Sequence, residues 1–118
     1  MSQIEALDKD LNDKILTGKA LEGFELYYAD DVVMQENNEE PFVGKDFNRK
    51  REQEFFASIA EFHGARLDFN AVNGNVSFGQ WWMDCTLNNG YRYTNTQIAV
   101  RHWKDGKIVN ERFFYNKG

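Results

Sequence analysis

Some residue types and patterns are scarce in this chain, and each scarcity excludes a class of protein. The 118 residues contain one cysteine, Cys85, so no disulfide can form within the chain and no zinc site can rest on several cysteines. No apolar run approaches the ~20 residues of a membrane span, and the first residues lack the basic flank of a secretion signal. We therefore expect a cytoplasmic protein with no membrane partner.

Positive charge is also scarce, since the formal net charge is -5. The one basic run, residues 48–51, is flanked by acidic residues that include Glu52, so we interpret it as a solvated helix face and expect no nucleic-acid partner. The two histidines, His63 and His102, lack partners at metal-ligand spacing. We expect no metal and no cofactor.

The residues that are present predict one folded domain over residues 1–118. Hydrophobic residues make up 42% and aromatic residues 15% of the chain, which is enough for a core without disulfides. Helical spacing of apolar residues predicts a first helix from a capping box at Ser2 and Glu5 to Gly18. Two more helices and a short strand are predicted at Ala20–Tyr28, Lys45–Phe62 and Val32–Met34.

From Ala65 onward the apolar period changes to two, which is typical of strands. Strong turn signals separate four such runs, at Asn73-Gly74, Asn89-Gly90 and Asp105-Gly106. Helices followed by a meander predict an α+β fold, in which three N-terminal helices pack on a strongly curved, mainly antiparallel sheet that encloses a pocket.

The turns also imply a register, which assigns each strand residue to one face of the sheet. Two-residue turns would place Phe69 opposite Phe78 and Asp84 opposite Asn95. We expect Phe69 and Phe78 to face the helices, because their neighbours on the opposite face are polar, and continuity of the sheet then places Trp82 and Asp84 on the inner face as well. The alternate residues would form an apolar outer patch that a second copy of the chain would cover, namely Trp81, Met83, Cys85, Leu87, Ile98, Val100 and Phe114.

The last hairpin is predicted with a three-residue loop at residues 104–106, which sets Arg101 opposite Val109 and keeps Glu111 on the inner face. A two-residue loop would turn the last strand over. Because unpaired buried charge costs several kcal/mol, the acids and the arginine on the inner face favour a pocket that water can enter.

The segment YADDVVMQE at residues 28–36, the helix start at Gly44-Lys45 and the hairpin WKDGKIVNERFFY at residues 103–115 resemble the nuclear transport factor two-like superfamily. The likeness is to its SnoaL-like and ketosteroid-isomerase-like branch, which includes polyketide-cyclase-like proteins. The resemblance implies a conical α+β fold with a deep apolar pocket, in a homodimer packed through the sheet. It places Glu36 where the isomerases have a catalytic base, but their acidic oxyanion donor falls on Ala99 and their tyrosine donor near Asn12.

Two functional hypotheses follow. The first is a cofactor-independent isomerase, cyclase or lyase that uses carboxylate acid-base chemistry on an apolar carbonyl-type substrate. Its catalytic candidates are Asp84, Glu36, Arg101 and Glu111. Its substrate-binding candidates are Trp82, Tyr93, Asn95, Gln97, Trp103, Phe113, Tyr115, Tyr28 and Phe56. The second hypothesis is a ligand-binding or structural homodimer without chemistry, in which Asp84 is only hydrogen-bonded and Arg101 forms a structural ion pair with Glu111.

Overall fold

The computed structural model describes residues 3–117, so the predicted cap at Ser2 lies outside the described residues. The elements in chain order are α1 (Gln3–Leu16), α2 (Ala20–Tyr27), β1 (Tyr28–Glu36), β2 (Phe42–Val43), α3 (Lys45–Ala57), β3 (Ile59–Asn73), β4 (Val76–Leu87), β5 (Arg92–Lys104) and β6 (Lys107–Phe114). Helices packed on a mainly antiparallel sheet confirm the predicted fold class. None of the helices in the described part of the chain is long and apolar enough to cross a membrane.

The strands form one six-stranded sheet in the order β2-β1-β6-β5-β4-β3. All neighbours are antiparallel except β1 and β6, which run parallel and are joined by a long connection through β2, α3, β3, β4 and β5. β2 and β3 are the two edges, so the sheet curves around the helices without closing.

The hydrophobic core lies where α1 and α2 pack on β1, β5 and β6. Leu11 and Phe24 contribute the buried sides of the two helices, and the Phe24 ring stacks on Tyr28 with ring centres 4.6 Å apart. Trp103 and Ile108 meet them from the last hairpin, each at most 1% exposed. Trp103 is thus a core residue, and its predicted place in a ligand pocket is wrong.

Two element boundaries differ from the predictions. α3 ends at Ala57, and the residues expected to complete it begin β3, because Ile59 and Phe62 pair with β4 through the backbone. Phe62 is 58% exposed, so its match to the apolar side of a helix was fortuitous. β1 is longer than predicted, and β2 was missed because it has only two residues.

The register of β4 against β5 is one residue away from the prediction. Asp84 lies opposite Thr94 and Trp82 opposite Thr96. The connection is longer than a two-residue turn, since the Leu87 amide donates to the Tyr91 carbonyl. A slip of one residue exchanges the faces of the two strands relative to each other.

The inner and outer residues of β4 are therefore the reverse of those predicted. Trp81, Met83 and Cys85 share the inner face with Gln97, and Asp84 lies on the outer face. Trp82 alternates with these inner residues along β4 but still borders the cavity. Placing Trp81, Met83 and Cys85 in an outer patch was wrong. Leu87 has the same strand parity and also leaves that patch.

The remaining outer-patch residues keep their place. A row across four strands joins Phe69, Gln80, Ile98 and Phe114, and the next row joins Phe78 to Val100. Phe69 and Phe78 therefore lie on the outer face, so the expectation that they pair with each other and face the helices was wrong. In the last hairpin the register is two residues away from the prediction, which leaves the faces unchanged, and Arg101 lies directly opposite Glu111.

Candidate functional site

A cavity of about 360 Å³ lies between the three helices and the concave face of the sheet. Its apolar walls include Leu11, Phe24, Phe55, Phe56, Trp81 and Phe113. Of the predicted substrate-binding residues, Tyr28, Phe56, Trp82, Tyr93, Asn95, Gln97 and Phe113 line it. This size and lining are typical of sites for small apolar molecules.

The floor of the cavity is a buried ion-pair network around Arg101. Its Nε donates to Glu111 Oε2 at 2.8 Å, and its Nη1 donates to Asp8 Oδ1 at 2.8 Å and to Asn12 Oδ1 at 2.7 Å. Its Nη2 makes no hydrogen bond to any described residue, and Arg101 borders the cavity. The predicted pairing of Arg101 with Glu111 is confirmed.

Tyr28 completes the floor by donating its hydroxyl to Glu111 Oε1 at 2.5 Å. Burial and the charge of Glu111 raise the pKa of Tyr28 well above its usual value, so the phenol stays protonated. Both oxygens of Glu111 therefore accept hydrogen bonds from protein donors. Four strands supply this arrangement, because Met34, Glu111, Arg101 and Ser77 form one inner row across β1, β6, β5 and β4.

Glu52 is the carboxylate in the cavity wall that the sequence argument missed. It lies on α3 one turn after the buried Asn48 and one turn before Phe55 and Phe56, so helical periodicity turns it towards the cavity. Its carboxylate accepts no hydrogen bond and forms no ion pair with the residues described. Burial, and next the negative charge of Glu111, raise its pKa to about 7.

A sequence signal for Glu52 did exist. The charged run around it favoured a solvated helix face, but Glu52 is spaced at i-3 and i-4 from Phe55 and Phe56, which are on the cavity side. The neighbouring Glu54 lies on the exposed side. A charged residue within an apolar helical stripe therefore deserved to be a candidate.

Glu36 lies at the side of the cavity, and both of its oxygens are occupied. Arg51 Nη2 donates to Glu36 Oε2 at 3.1 Å, and the Tyr115 hydroxyl donates to Glu36 Oε1 at 2.6 Å. Burial and this hydrogen bond raise the pKa of Tyr115. Tyr115 is not part of the cavity lining, so it acts on Glu36 and not as a predicted wall residue.

A polar row on β5 lines the sheet side of the cavity. Asn95 Nδ2 donates to the Tyr93 hydroxyl oxygen at 3.0 Å and approaches Gln97 Oε1 at 3.4 Å. The Tyr93 proton and the Gln97 amide N–H groups make no hydrogen bond within residues 3–117. Burial raises the pKa of Tyr93, so its hydroxyl is a donor at neutral pH.

Asp84 lies outside the cavity, and its predicted inward position was wrong. Arg92 binds both of its oxygens, at 2.9 and 2.6 Å, and the Thr94 hydroxyl donates to Oδ1 at 3.0 Å. These hydrogen bonds, those from Arg92 first, lower the pKa of Asp84 to about 2. Trp82 borders the cavity, but its ring lies beneath Arg66, with 4.6 Å from the guanidinium carbon to the ring centre.

In the part of the chain that the structure describes, no three His, Cys, Asp or Glu side chains are arranged to hold a metal ion.

The sequence and the fold were compared with those of known proteins. A model of the SnoaL-like domain matches residues 14–115. No protein with a curated description matches the sequence significantly.

Solved structures share the whole architecture. One from Mesorhizobium loti, provisionally assigned as a SnoaL-like polyketide cyclase, is 29% identical and covers 97% of this chain and 100% of its own, with a TM-score of 0.87. A provisionally assigned hydroxylase from Streptomyces galilaeus is 11% identical over 98% of this chain and 90% of its own, with a TM-score of 0.78. An epoxide hydrolase-like protein from Mycobacterium tuberculosis is 15% identical over 96% of this chain and 81% of its own, with a TM-score of 0.74. The last two show likeness of fold alone.

Proposed function

The chain belongs to the SnoaL-like domain family, and from this premise we propose that it is a cofactor-independent enzyme of the isomerase, cyclase or lyase type. It would move a proton at a carbon next to the carbonyl group of an apolar substrate. The observation that carries this proposal is Glu52, a carboxylate without a hydrogen bond in an apolar cavity, with its pKa raised to about 7. A base is most effective when its pKa lies near the working pH.

The proposed step transfers one proton and one negative charge between Glu52 and the substrate. Ionised Glu52 takes a proton from the carbon next to the carbonyl, the C–H electron pair forms the enolate, and the negative charge moves to the carbonyl oxygen. Return of the proton from Glu52 to another carbon would give an isomer. Attack of the enolate carbon on a second carbonyl would close a ring, and the alkoxide formed on the second carbonyl oxygen would then take the proton back from Glu52. Aromatic walls such as Phe55 and Trp81 would hold the substrate against Glu52.

Three donors support stabilisation of the developing oxyanion. On the cavity side of β5, the Tyr93 O–H and the Gln97 amide N–H groups donate to no described residue. The N–H groups of Arg101 Nη2 at the cavity floor are likewise without an acceptor among the described residues. Donors already fixed before reaction stabilise such charge without reorganisation, and losing one costs about a hundredfold or more in rate. We propose Tyr93 for this role because its edge-on contact with Phe55 keeps it beside α3, where Glu52 lies.

The second candidate function is binding of a small molecule without chemistry. The observation that favours it is that Glu36 and Glu111, two of the predicted catalytic acids, have both oxygens occupied by protein donors. Under the enzyme proposal, burial and the charges of Glu111 and Glu36 instead raise the pKa of Glu52, and the charge of Arg51 lowers it. Arg51 and Tyr115 hold Glu36 at the cavity side.

The enzyme proposal is tested by deuterium exchange into 2-tetralone, a bicyclic ketone of suitable size. Wild-type protein in D₂O at pH 7.5 is expected to accelerate incorporation at the carbons beside the carbonyl, measured by mass spectrometry against a buffer control. Glu52→Gln is expected to reduce the acceleration at least about a hundredfold, because the amide cannot take the proton.

The matched control is Glu54→Gln, two residues away on the exposed side of α3, which is expected to keep the wild-type rate. Asp84→Asn is also expected to keep it, because Asp84 lies on the outer face. Equal rates for Glu52→Gln and wild type, or no acceleration by wild type, would leave binding without chemistry as the function.

We also propose that the outer face of the sheet joins two copies of the chain. The supporting observation is a continuous apolar patch in which Phe69 is 70%, Phe78 39% and Phe114 40% exposed, with Ile98 and Val100 between them. Monomeric proteins rarely leave such a patch uncovered, and a two-fold axis through it would bury the same residues of both copies.

A further inference from the structure

The charges around the cavity are unequal, and its positive charges are already paired. Three carboxylates and two guanidinium groups contribute to the lining. Arg51 forms an ion pair with Glu36, and Arg101 forms ion pairs with both Glu111 and Asp8. Glu52 has no such partner among the cations of residues 3–117.

We infer that the cavity accepts only ligands without a negative charge, so that the substrate enters as a ketone, aldehyde, ester or amide and not as a carboxylate or phosphate. This inference rests on the proposed function and narrows its substrate class. Selection of ligands by charge at this site is tested separately from proton transfer.

The two arginines that line the cavity already form ion pairs, so neither offers an unpaired positive charge to a bound anion. A bound carboxylate would lose its hydration in an apolar cavity, and it would need a cation that is not already neutralised. Arg101 can donate a hydrogen bond from Nη2. Its positive charge, however, is already neutralised by the carboxylates of Asp8 and Glu111, which lie 2.8 Å from Nη1 and Nε. Repulsion from Glu52 and Glu111 is strong at the low effective dielectric of such a site.

The charge balance of the proposed proton transfer also favours a neutral substrate. When Glu52 takes a proton from a neutral substrate, one negative charge moves from Glu52 to the carbonyl oxygen, and the total charge in the cavity does not change. A substrate that is already an anion would add one further negative charge before the reaction and would become a dianion during it. The arrangement therefore suits neutral substrates throughout the cycle.

The test compares a matched pair of probes, 1-naphthylacetamide and 1-naphthylacetate, which differ mainly in charge. Each is titrated into ¹⁵N-labelled protein and binding is followed by NMR, with the Trp81 indole N–H as a reporter from the cavity wall. At pH 8 the amide is expected to bind at least about tenfold more tightly than the carboxylate. At pH 5.5 the carboxylate is still ionised but Glu52 is protonated, so the difference is expected to narrow.

The variants identify the source of the selection. In Glu52→Gln the difference at pH 8 is expected to shrink and to lose its pH dependence between 5.5 and 8, whereas Glu54→Gln is expected to behave as wild type. The inference is overturned if the carboxylate binds as tightly as the amide at pH 8, or if the amide does not bind.

The two proposals fail in different ways. Exchange that depends on Glu52, together with tight binding of the carboxylate, would overturn the charge selection alone. Strong preference for the amide without any exchange would support the selection and overturn only the catalytic proposal.

Discussion

At the scale of single residues, the carboxylates around the cavity differ in what their oxygens contact. Glu36 and Glu111 each accept hydrogen bonds from two side chains. Burial of Glu52, and next the charge of Glu111, disfavour its ionised form and raise its pKa, and no donor among the described residues offsets this. The residue suited to exchange protons is therefore the one that the protein leaves without hydrogen bonds.

The raised pKa of Glu52 implies a pH-dependent cost in stability. The folded protein holds the Glu52 proton up to about pH 7, whereas the unfolded chain releases it near 4.5, so the free energy of unfolding falls between these values as the pH rises. Glu52→Gln is therefore expected to match wild type at pH 4 and to exceed its free energy of unfolding by about 1–3 kcal/mol at pH 8.

Urea denaturation of both proteins at the two pH values measures this difference, with Glu54→Gln as the control that is expected to follow wild type throughout. A gain in stability that is the same at pH 4 and pH 8 would show that it comes from packing and not from the Glu52 charge.

At the scale of elements, the sequence predicted which helices and strands exist better than it predicted their register. Periodicity and turn signals predicted the three helices and the long meander, because these depend on local spacing. The register of β4 against β5 depended on the connection between them, and a loop one residue longer than assumed reversed the inner and outer faces. This register error, together with the expected inward position of Phe69 and Phe78, moved Asp84 into the predicted site and Trp81 out of it.

Gly79 shows how β4 accommodates Trp81 on the inner face. A Cβ at Gly79 would lie 2.9 Å from the Trp81 indole nitrogen and 3.2 Å from Leu67 Cδ1, so the missing side chain makes room for the indole ring in the cavity wall. β3 also has register shifts opposite this strand, which bend it around the helices. The pairing of Arg101 with Glu111 was predictable because a two-residue change in register does not exchange faces.

Glu52 was missed as a cavity residue because the end of α3 was predicted wrongly. Its position on the cavity side depends on where α3 packs, and the predicted helix extended five residues beyond its true end at Ala57. With the apolar side defined partly by Ile59 and Phe62, which belong to β3, the helical stripe was misplaced. The spacing to Phe55 and Phe56 was the part of the signal that remained valid.

At the scale of the whole molecule, the two faces of the sheet carry different kinds of side chains. The concave face carries the cavity and its charged floor, and the convex face carries the apolar patch around Phe78 and Phe114. We expect wild-type protein to have twice the 13.8 kDa mass of the chain by light scattering. Phe114→Glu is expected to halve that mass, because it would bury a charge at the two-fold contact.

Phe47→Glu is the matched control, since Phe47 is 53% exposed on α3, away from the outer sheet face. It is expected to remain a dimer. A monomeric wild type, or a dimeric Phe114→Glu, would contradict the proposed contact.

The central claim is that Glu52 exchanges its proton near neutral pH inside the cavity. An NMR titration of protein with ¹³C-labelled glutamate carboxyl groups measures this directly, with the Glu52 signal assigned by its loss in Glu52→Gln. We predict one glutamate with a pKa of about 7, whose signal disappears in that variant. A Glu52 signal that titrates near 4.5 would contradict the account.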